Sequence, residues 1–199
     1  VLARARDQEL IALFDLAERE RAPRTALHAL LDGRDTLPKS ALGFMEETIA
    51  RAAGRVVVAS LGGRYYGMDR DKRWDRVERA YRMLVNGEGR LATDPVEAIL
   101  DSYRDGKGDE FVEPVVIAGP DGRPSATIST GDSVIFFNFR ADRAREITRA
   151  LTEPGFAETD FGDWEGYTFG EVRAKWPAEM DAWLGSTAVA PPHGESFDQ

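Results

Sequence analysis

Cysteine is absent from this chain, and only two of its 199 residues are histidine. The first absence excludes disulfides, thiolate metal sites and cysteine nucleophiles, and it accords with a cytoplasmic location, where thiols stay reduced. Two histidines leave little material for an imidazole metal site, and neither has a second histidine at ligand spacing. No apolar run approaches the roughly 18 residues that a membrane-crossing helix needs, and Val1–Gln8 is not built as a signal peptide. Positive charge is in deficit too: 26 lysines and arginines face 35 acidic residues, a net charge of -9. That balance argues against non-specific binding to nucleic acid or an anionic membrane. Any anion site must then be a local concentration of arginines on an acidic background.

What is present suffices for a core. Hydrophobic residues make up 42% of the chain and charged residues 31%, as in ordinary globular domains. Apolar spacing of three and four predicts a helix over Glu9–Glu20, stopped by Pro23. Thr25–Leu31 reads as a strand that empties into the polar turn Asp32–Pro38. Leu42–Ala53 reads as a helix ended by Gly54, and Arg55–Leu61 as a second buried strand. Gly62–Trp74 is then a long loop rich in glycine, aromatics and arginine. Asp75–Leu84 and Pro95–Tyr103 are helices, the latter capped by Asp94 with proline in its first position. Pro114–Ala118 and Ser125–Ser129 flank a strong turn signal and predict a hairpin. The order implies an α/β fold: a mainly parallel sheet flanked by helices, with one hairpin and a short, mostly helical C-terminal segment.

The chain is organised around Asp132–Arg145, DSVIFFNFRADRAR. Val134–Phe139 reads as a strand buried on both faces, and from Ala141 the spacing is helical. Arg140 and Arg143 fall on one side of that helix's first turn, a pair suited to phosphate or carboxylate. Two other predicted strand ends share the habit: Arg34 and Asp35 follow the first strand, Arg64 and Arg70 the second. Parallel strands bring their C-terminal ends to one edge, so these six residues would meet in one pocket. Such a set suits a small substrate carrying both a phosphate and a carboxylate. Asp35 would orient an arginine or move a proton at a substrate hydroxyl. The plain alternative is that the arginines pair with Asp69, Asp71 and Asp142 as surface ion pairs. Tyr65, Tyr66 and Trp74 default to packing.

LDGRDTLPKSA, GRYYGMDRDKRWDR and DSVIFFNFRADRAR together resemble the substrate-binding insertion domain of the cofactor-independent phosphoglycerate mutases, over about Gln8 to Phe156. The resemblance implies a domain that holds 3-phosphoglycerate or 2-phosphoglycerate against a separate metal-dependent phosphatase domain, in an isomerase of glycolysis. It implies substrate contacts at Arg34, Asp35, Arg64, Arg70, Arg140 and Arg143. In that family a serine nucleophile and two manganese ions sit on the phosphatase domain, which is missing here. Ser40, Ser60 and Ser102 have no such context, so no metal or other cofactor is expected in this chain. The family's substrate-contacting histidine has no counterpart in Val1–Asp7, VLARARD.

Both ends of the chain read as cut, and the character changes near Phe156–Ala157. Residues 157–199 hold three of the four tryptophans, helical pieces near Thr168–Lys175 and Ala178–Leu184, and a Pro191–Gly194 loop. AETDFGDWEGYTFGEVRAKWPAEMDAW followed by PPHGESF resembles the middle of a histidine phosphatase, and VLARARD resembles a segment preceding that region. That second resemblance implies Glu158 as a proton donor, but the nucleophilic histidine motif is absent. The organisation expected is therefore 1–156 as a substrate-binding domain and 157–199 as a partial histidine-phosphatase-like segment, whether by fusion, misassembly or artificial joining. Other readings are an active histidine-type phosphatase, a non-catalytic binding module using Arg64–Trp74, and a chain that the junction prevents from folding stably.

Overall fold

The structure, a computed structural model, describes residues 7–138, 140–153, 163, 169–185 and 189–194. Helix α1 (Asp7–Arg19) leads to strand β1 (Ala26–Leu31), helix α2 (Ala41–Ala52) and strand β2 (Val57–Gly63). The short helix α3 (Arg64–Gly67) follows at once, then α4 (Trp74–Tyr81), which continues as a π-helical stretch over Arg82–Asn86. Strand β3 (Arg90–Ala92), helix α5 (Pro95–Arg104) and strand β4 (Val115–Ile117) complete the sheet. Helices α6 (Ala141–Thr152), α7 (Phe169–Lys175) and α8 (Pro177–Gly185) close the described chain.

The four strands lie in the order β1-β2-β4-β3. β1 pairs with β2, and β3 with β4, in parallel; the central β2–β4 pairing is antiparallel. Side chains alternate across this sheet as strand geometry requires. Ala29, Leu31, Leu61, Val115 and Ile117 join one core with Leu10 and Phe14 of α1, Met45 of α2 and Ile99 of α5. Leu30 and Val116, one residue out of phase, face the other way into a core with Tyr66, Val77, Ala80 and Ile147. Helices therefore cover both faces: α1, α2 and α5 on one, α3, α4 and α6 on the other. Local signals support this. Asp94 caps α5 by accepting from the N–H groups of Val96 and Glu97 at 2.7 and 3.0 Å, with Pro95 in the first turn.

Three expectations are corrected. Residues 134–138 form no strand, and Val134 and Ile135 are 51% and 67% exposed. What survives of the strand reading is its alternation: Phe137 packs against the first core and Phe136 against the second. The hairpin reduces to a turn closed by the Ala118–Pro124 bridge, with Ser125 N donating to Ile117 O at 2.8 Å. The loop expected from Gly62 instead begins with the last two residues of β2 and the α3 turn.

Candidate functional site

Because β1 and β2 run parallel, they finish side by side, with Leu31 opposite Gly63. Both ends rest on one 3-10 turn, Asp109–Phe111. Gly33 leaves β1 with φ +69°, and a Cβ there would stand 2.8 Å from both Asp109 Cβ and Glu110 N. A Cβ on Gly63 would overlap the Glu110 carbonyl, and Gly63 N donates to Val112 O at 2.7 Å. Glycine at each strand end thus brings the two chains close enough to share a floor.

Asp32 builds the next layer. Its Oδ1 accepts from the N–H groups of Arg34 and Asp35, each at 3.2 Å, and pairs with Arg64 Nη1. The Asp32 and Arg64 side chains are 3% and 4% exposed, so this ion pair is out of solvent. Burial alone would lower the Arg64 pKa; hydrogen bonds to Asp32 and Asp35 outweigh it and raise the value.

From Arg64 a chain of alternating charges runs outward. Arg64 Nη1 donates to Asp35 Oδ2 at 3.1 Å, and Arg140 Nη1 donates to the same oxygen at 3.4 Å. Arg140 turns its fork on Asp142, Nε to Oδ1 at 3.3 Å and Nη2 to Oδ2 at 3.0 Å. Arg70 Nη1 donates to Asp142 Oδ2 at 3.3 Å. Arg143 lies beside the group, its Nε 4.0 Å from Asp142 Oδ2 and its Nη1 donating to Met68 O at 3.0 Å. Arg140 is held at the start of α6 by its N–H donating to Asn138 Oδ1 at 3.0 Å. Asp142 sits in the first turn of α6, where negative charge is favoured.

Electrostatics show that the four guanidinium groups feel one another. The Arg143 pKa is lowered, first by burial and then by Arg64, Arg70 and Arg140 in turn, with Asp142 opposing. The Asp142 carboxyl is held below the usual range, mainly by its hydrogen bond from Arg140. Arg143 Nε finds no hydrogen-bond partner among the described residues. This corner therefore has more donors than its own carboxylates satisfy.

Five of the predicted residues, Asp35, Arg64, Arg70, Arg140 and Arg143, come together. Arg34 is set apart: it is 64% exposed and pairs with Glu110 at 3.5 Å. Glu158 lies outside the described residues. Tyr65 and Tyr66 stack edge to face, with the Arg76 guanidinium 3.7 Å from the Tyr65 ring and Arg79 4.6 Å from the Tyr66 ring. They lock α3 onto α4. His28 bonds Ser60 across β1 and β2 at 2.8 Å, and burial pulls its pKa down to about 4. His193 is 84% exposed and contacts Asp163 at 3.1 Å. Ser102 Oγ donates to the Lys107 carbonyl. No group of three or more histidine, aspartate or glutamate residues able to hold a metal occurs among the described residues.

Two buried carboxylates, Asp109 and Glu146, escape a reading of the sequence, and a third, Asp69, expected as a surface ion-pair partner, is buried. Asp109 accepts from Ala41 N at 2.9 Å and from the Tyr103 hydroxyl, tying the floor to α2 and α5. Asp69 accepts from the N–H groups of Asp71 and Arg73, each at 2.9 Å, and so shapes the loop that carries Arg70. Glu146 on α6 accepts from Lys72 N at 3.0 Å and faces Asp69; burial, then the Asp69 hydrogen bond, raises its pKa to about 7. A signal existed only for Asp32, which stands directly after an apolar strand.

A family model described as the BPG-independent PGAM N-terminus matches residues 4–174. Over 149 residues the chain is 56% identical to the 2,3-bisphosphoglycerate-independent phosphoglycerate mutase of Moorella thermoacetica, covering 74% of this chain and 29% of the relative. The enzyme of the same description from Thermomicrobium roseum is 47% identical over 176 residues, covering 87% of this chain and 31% of the relative. Leishmania mexicana phosphoglycerate mutase, crystallised at low cobalt concentration, superposes with a TM-score of 0.69 at 34% identity. That match covers 75% of this chain and 29% of the other. The chain thus spans under a third of the relatives it matches.

Proposed function

This chain belongs to the family of BPG-independent phosphoglycerate mutase N-terminal regions, and from that premise we propose that it is a cytoplasmic substrate-holding domain for 3-phosphoglycerate and 2-phosphoglycerate. The observation that carries the proposal is the continuous run Arg64–Asp35–Arg140–Asp142–Arg70, with Arg143 beside it, at the edge where β1 and β2 end. Planar guanidinium forks grip phosphate and carboxylate in pairs, and several converging forks suit a small molecule bearing both. Arg64, fixed on two sides, gives an immobile contact at the base. Arg70 and Arg140, at the solvent side, receive the incoming anion. Asp35, set between Arg64 and Arg140, faces the substrate hydroxyl, where it orients the substrate or accepts a proton. Arg34 belongs to the rim and contributes once it leaves Glu110.

Phosphate transfer is assigned elsewhere. By resemblance, the serine nucleophile and two manganese ions stand on a separate phosphatase domain. We take residues 1–156 as the binding domain and 157–199 as a partial histidine-phosphatase-like segment. The basic, aromatic Arg64–Trp74 loop does not serve nucleic acid in this account: Tyr66 is buried and Tyr65 carries Arg76 on its face. Calorimetric titration tests the proposal. 3-Phosphoglycerate gives saturable heat and glycerate, lacking the phosphate, gives far less; equal responses to both would count against an anion clamp.

A further inference from the structure

Within this cluster one carboxylate stands where a ligand would. Asp142 takes both edges of the Arg140 fork, bridges to Arg70 and lies 4.0 Å from Arg143. It therefore contacts three of the arginines assigned to the substrate, and the two outermost, Arg70 and Arg140, both close on it. Two features mark it as an occupant rather than a foundation. Its side chain is 40% exposed, against 3% for Asp32, so water can reach it and it can rotate away. It also fills its place incompletely: the largely buried Arg143, 11% exposed, keeps an Nε without a hydrogen-bond partner among the described residues. A carboxylate has two oxygens and one charge. A phosphate monoester carries up to two charges and three terminal oxygens, and it would satisfy the same corner more completely.

We propose that Asp142 is a built-in stand-in for the substrate's anionic group: it draws Arg70 and Arg140 together while the site is empty and is displaced when phosphate enters. This rests on the substrate-holding reading above. The internal carboxylate prevents the arginines from repelling one another apart, and in exchange the incoming phosphate must compete with it. Affinity is thereby lowered and release eased. The contrary role, in which Asp142 orients the arginines for the substrate, predicts the opposite sign when the charge is removed.

Binding of 3-phosphoglycerate to the full chain, measured by calorimetry, decides between them. Asp142→Asn removes the competing charge and keeps the shape. The expected result is binding about three- to fivefold tighter than wild type, the scale of one exposed ion pair. The gain should vanish when Arg143→Ala is added, and it should not appear in Glu153→Gln, which changes net charge equally at the far end of α6. Should Asp142→Asn fold poorly, Asp142→Ser, also suited to a helix start, is read in the same way. Unchanged or weaker binding in these variants, with wild type still binding, overturns the stand-in and leaves the substrate-holding reading intact. Failure of wild type and variants alike to bind at millimolar ligand overturns both.

Discussion

Asp32 accepts three contacts on one oxygen, two from backbone N–H groups and one from Arg64, which it keeps from water. Removing one member of a buried ion pair leaves the other charge without compensation, at about 3–5 kcal/mol. Asp32→Asn keeps the shape and Asp35 remains within 3.1 Å of Arg64, so the lower figure applies. We expect a loss of about 3 kcal/mol in denaturant unfolding. Glu146 and His28 set the pH dependence. The Glu146 carboxyl has its pKa raised from 4.5 to about 7, so its favourable contribution is complete below pH 4.5 and lost as pH rises through 7. His28, lowered from 6.5 to about 4, is favourable above pH 6.5, and its contribution is lost as pH falls towards 4. Between pH 4.5 and 6.5 the two slopes oppose each other. Glu146→Gln can still accept from Lys72 and donate to Asp69. It should raise the melting temperature at pH 8 by about 2–4 °C and leave stability rising with pH below 6.5. An unchanged pH profile in this variant would remove Glu146 from the account. At this scale the arginines were legible, because charge following an apolar run stands out in a sequence. Of their carboxylate partners, Asp35 and Asp142 were legible too, whereas buried Asp32 was not. Asp69 and Glu146 look like any surface acid until tertiary packing buries them.

At the scale of elements, the two long strands and the helices other than α3 were legible from periodicity, caps and glycine stops. Strand β3 was not: three residues long, with exposed Arg90 and Leu91, it exists because β4 offers an edge to pair with. The opposite failure occurred in the apolar run that begins at Val134. Such a run specifies burial but not a hydrogen-bonding partner, and Phe136 and Phe137 find burial by wedging into two cores without joining the sheet. The site survives this correction because it depends on where Arg140 ends, not on ladder bonds. Its floor is more demanding. Gly63→Ala would drive a methyl group into the Glu110 backbone, which cannot swing aside as a side chain would. Such overpacking should destabilise by about 1–3 kcal/mol and displace Arg64, weakening ligand binding beyond the stability loss. Full retention of binding would show that β2 and the Asp109–Phe111 turn are not a shared support.

Across the whole molecule, Trp74 connects what the sequence divides. It packs against the second core and also against the small cluster of Val172, Met180 and Trp183 from α7 and α8. The family match likewise continues to residue 174, past the change of character at Phe156. Trp74 is only partly buried, so Trp74→Ala should cost less than the roughly 3–5 kcal/mol of a fully buried aromatic. It should also split thermal unfolding into two steps, an α7–α8 loss preceding the main transition, when followed by tryptophan fluorescence and circular dichroism. A single sharp transition in this variant would mean that the tail is not anchored there.

If converging arginines hold a phosphorylated glycerate, as proposed, ligand-dependent melting of the intact chain will show it. A ligand that binds only the folded state raises the melting temperature as its concentration exceeds Kd. With 3-phosphoglycerate at millimolar concentration, wild type should melt higher by a few degrees, and the Arg140→Ala, Arg143→Ala double variant should show no rise. No rise in wild type, or an equal rise in the double variant, would contradict the account.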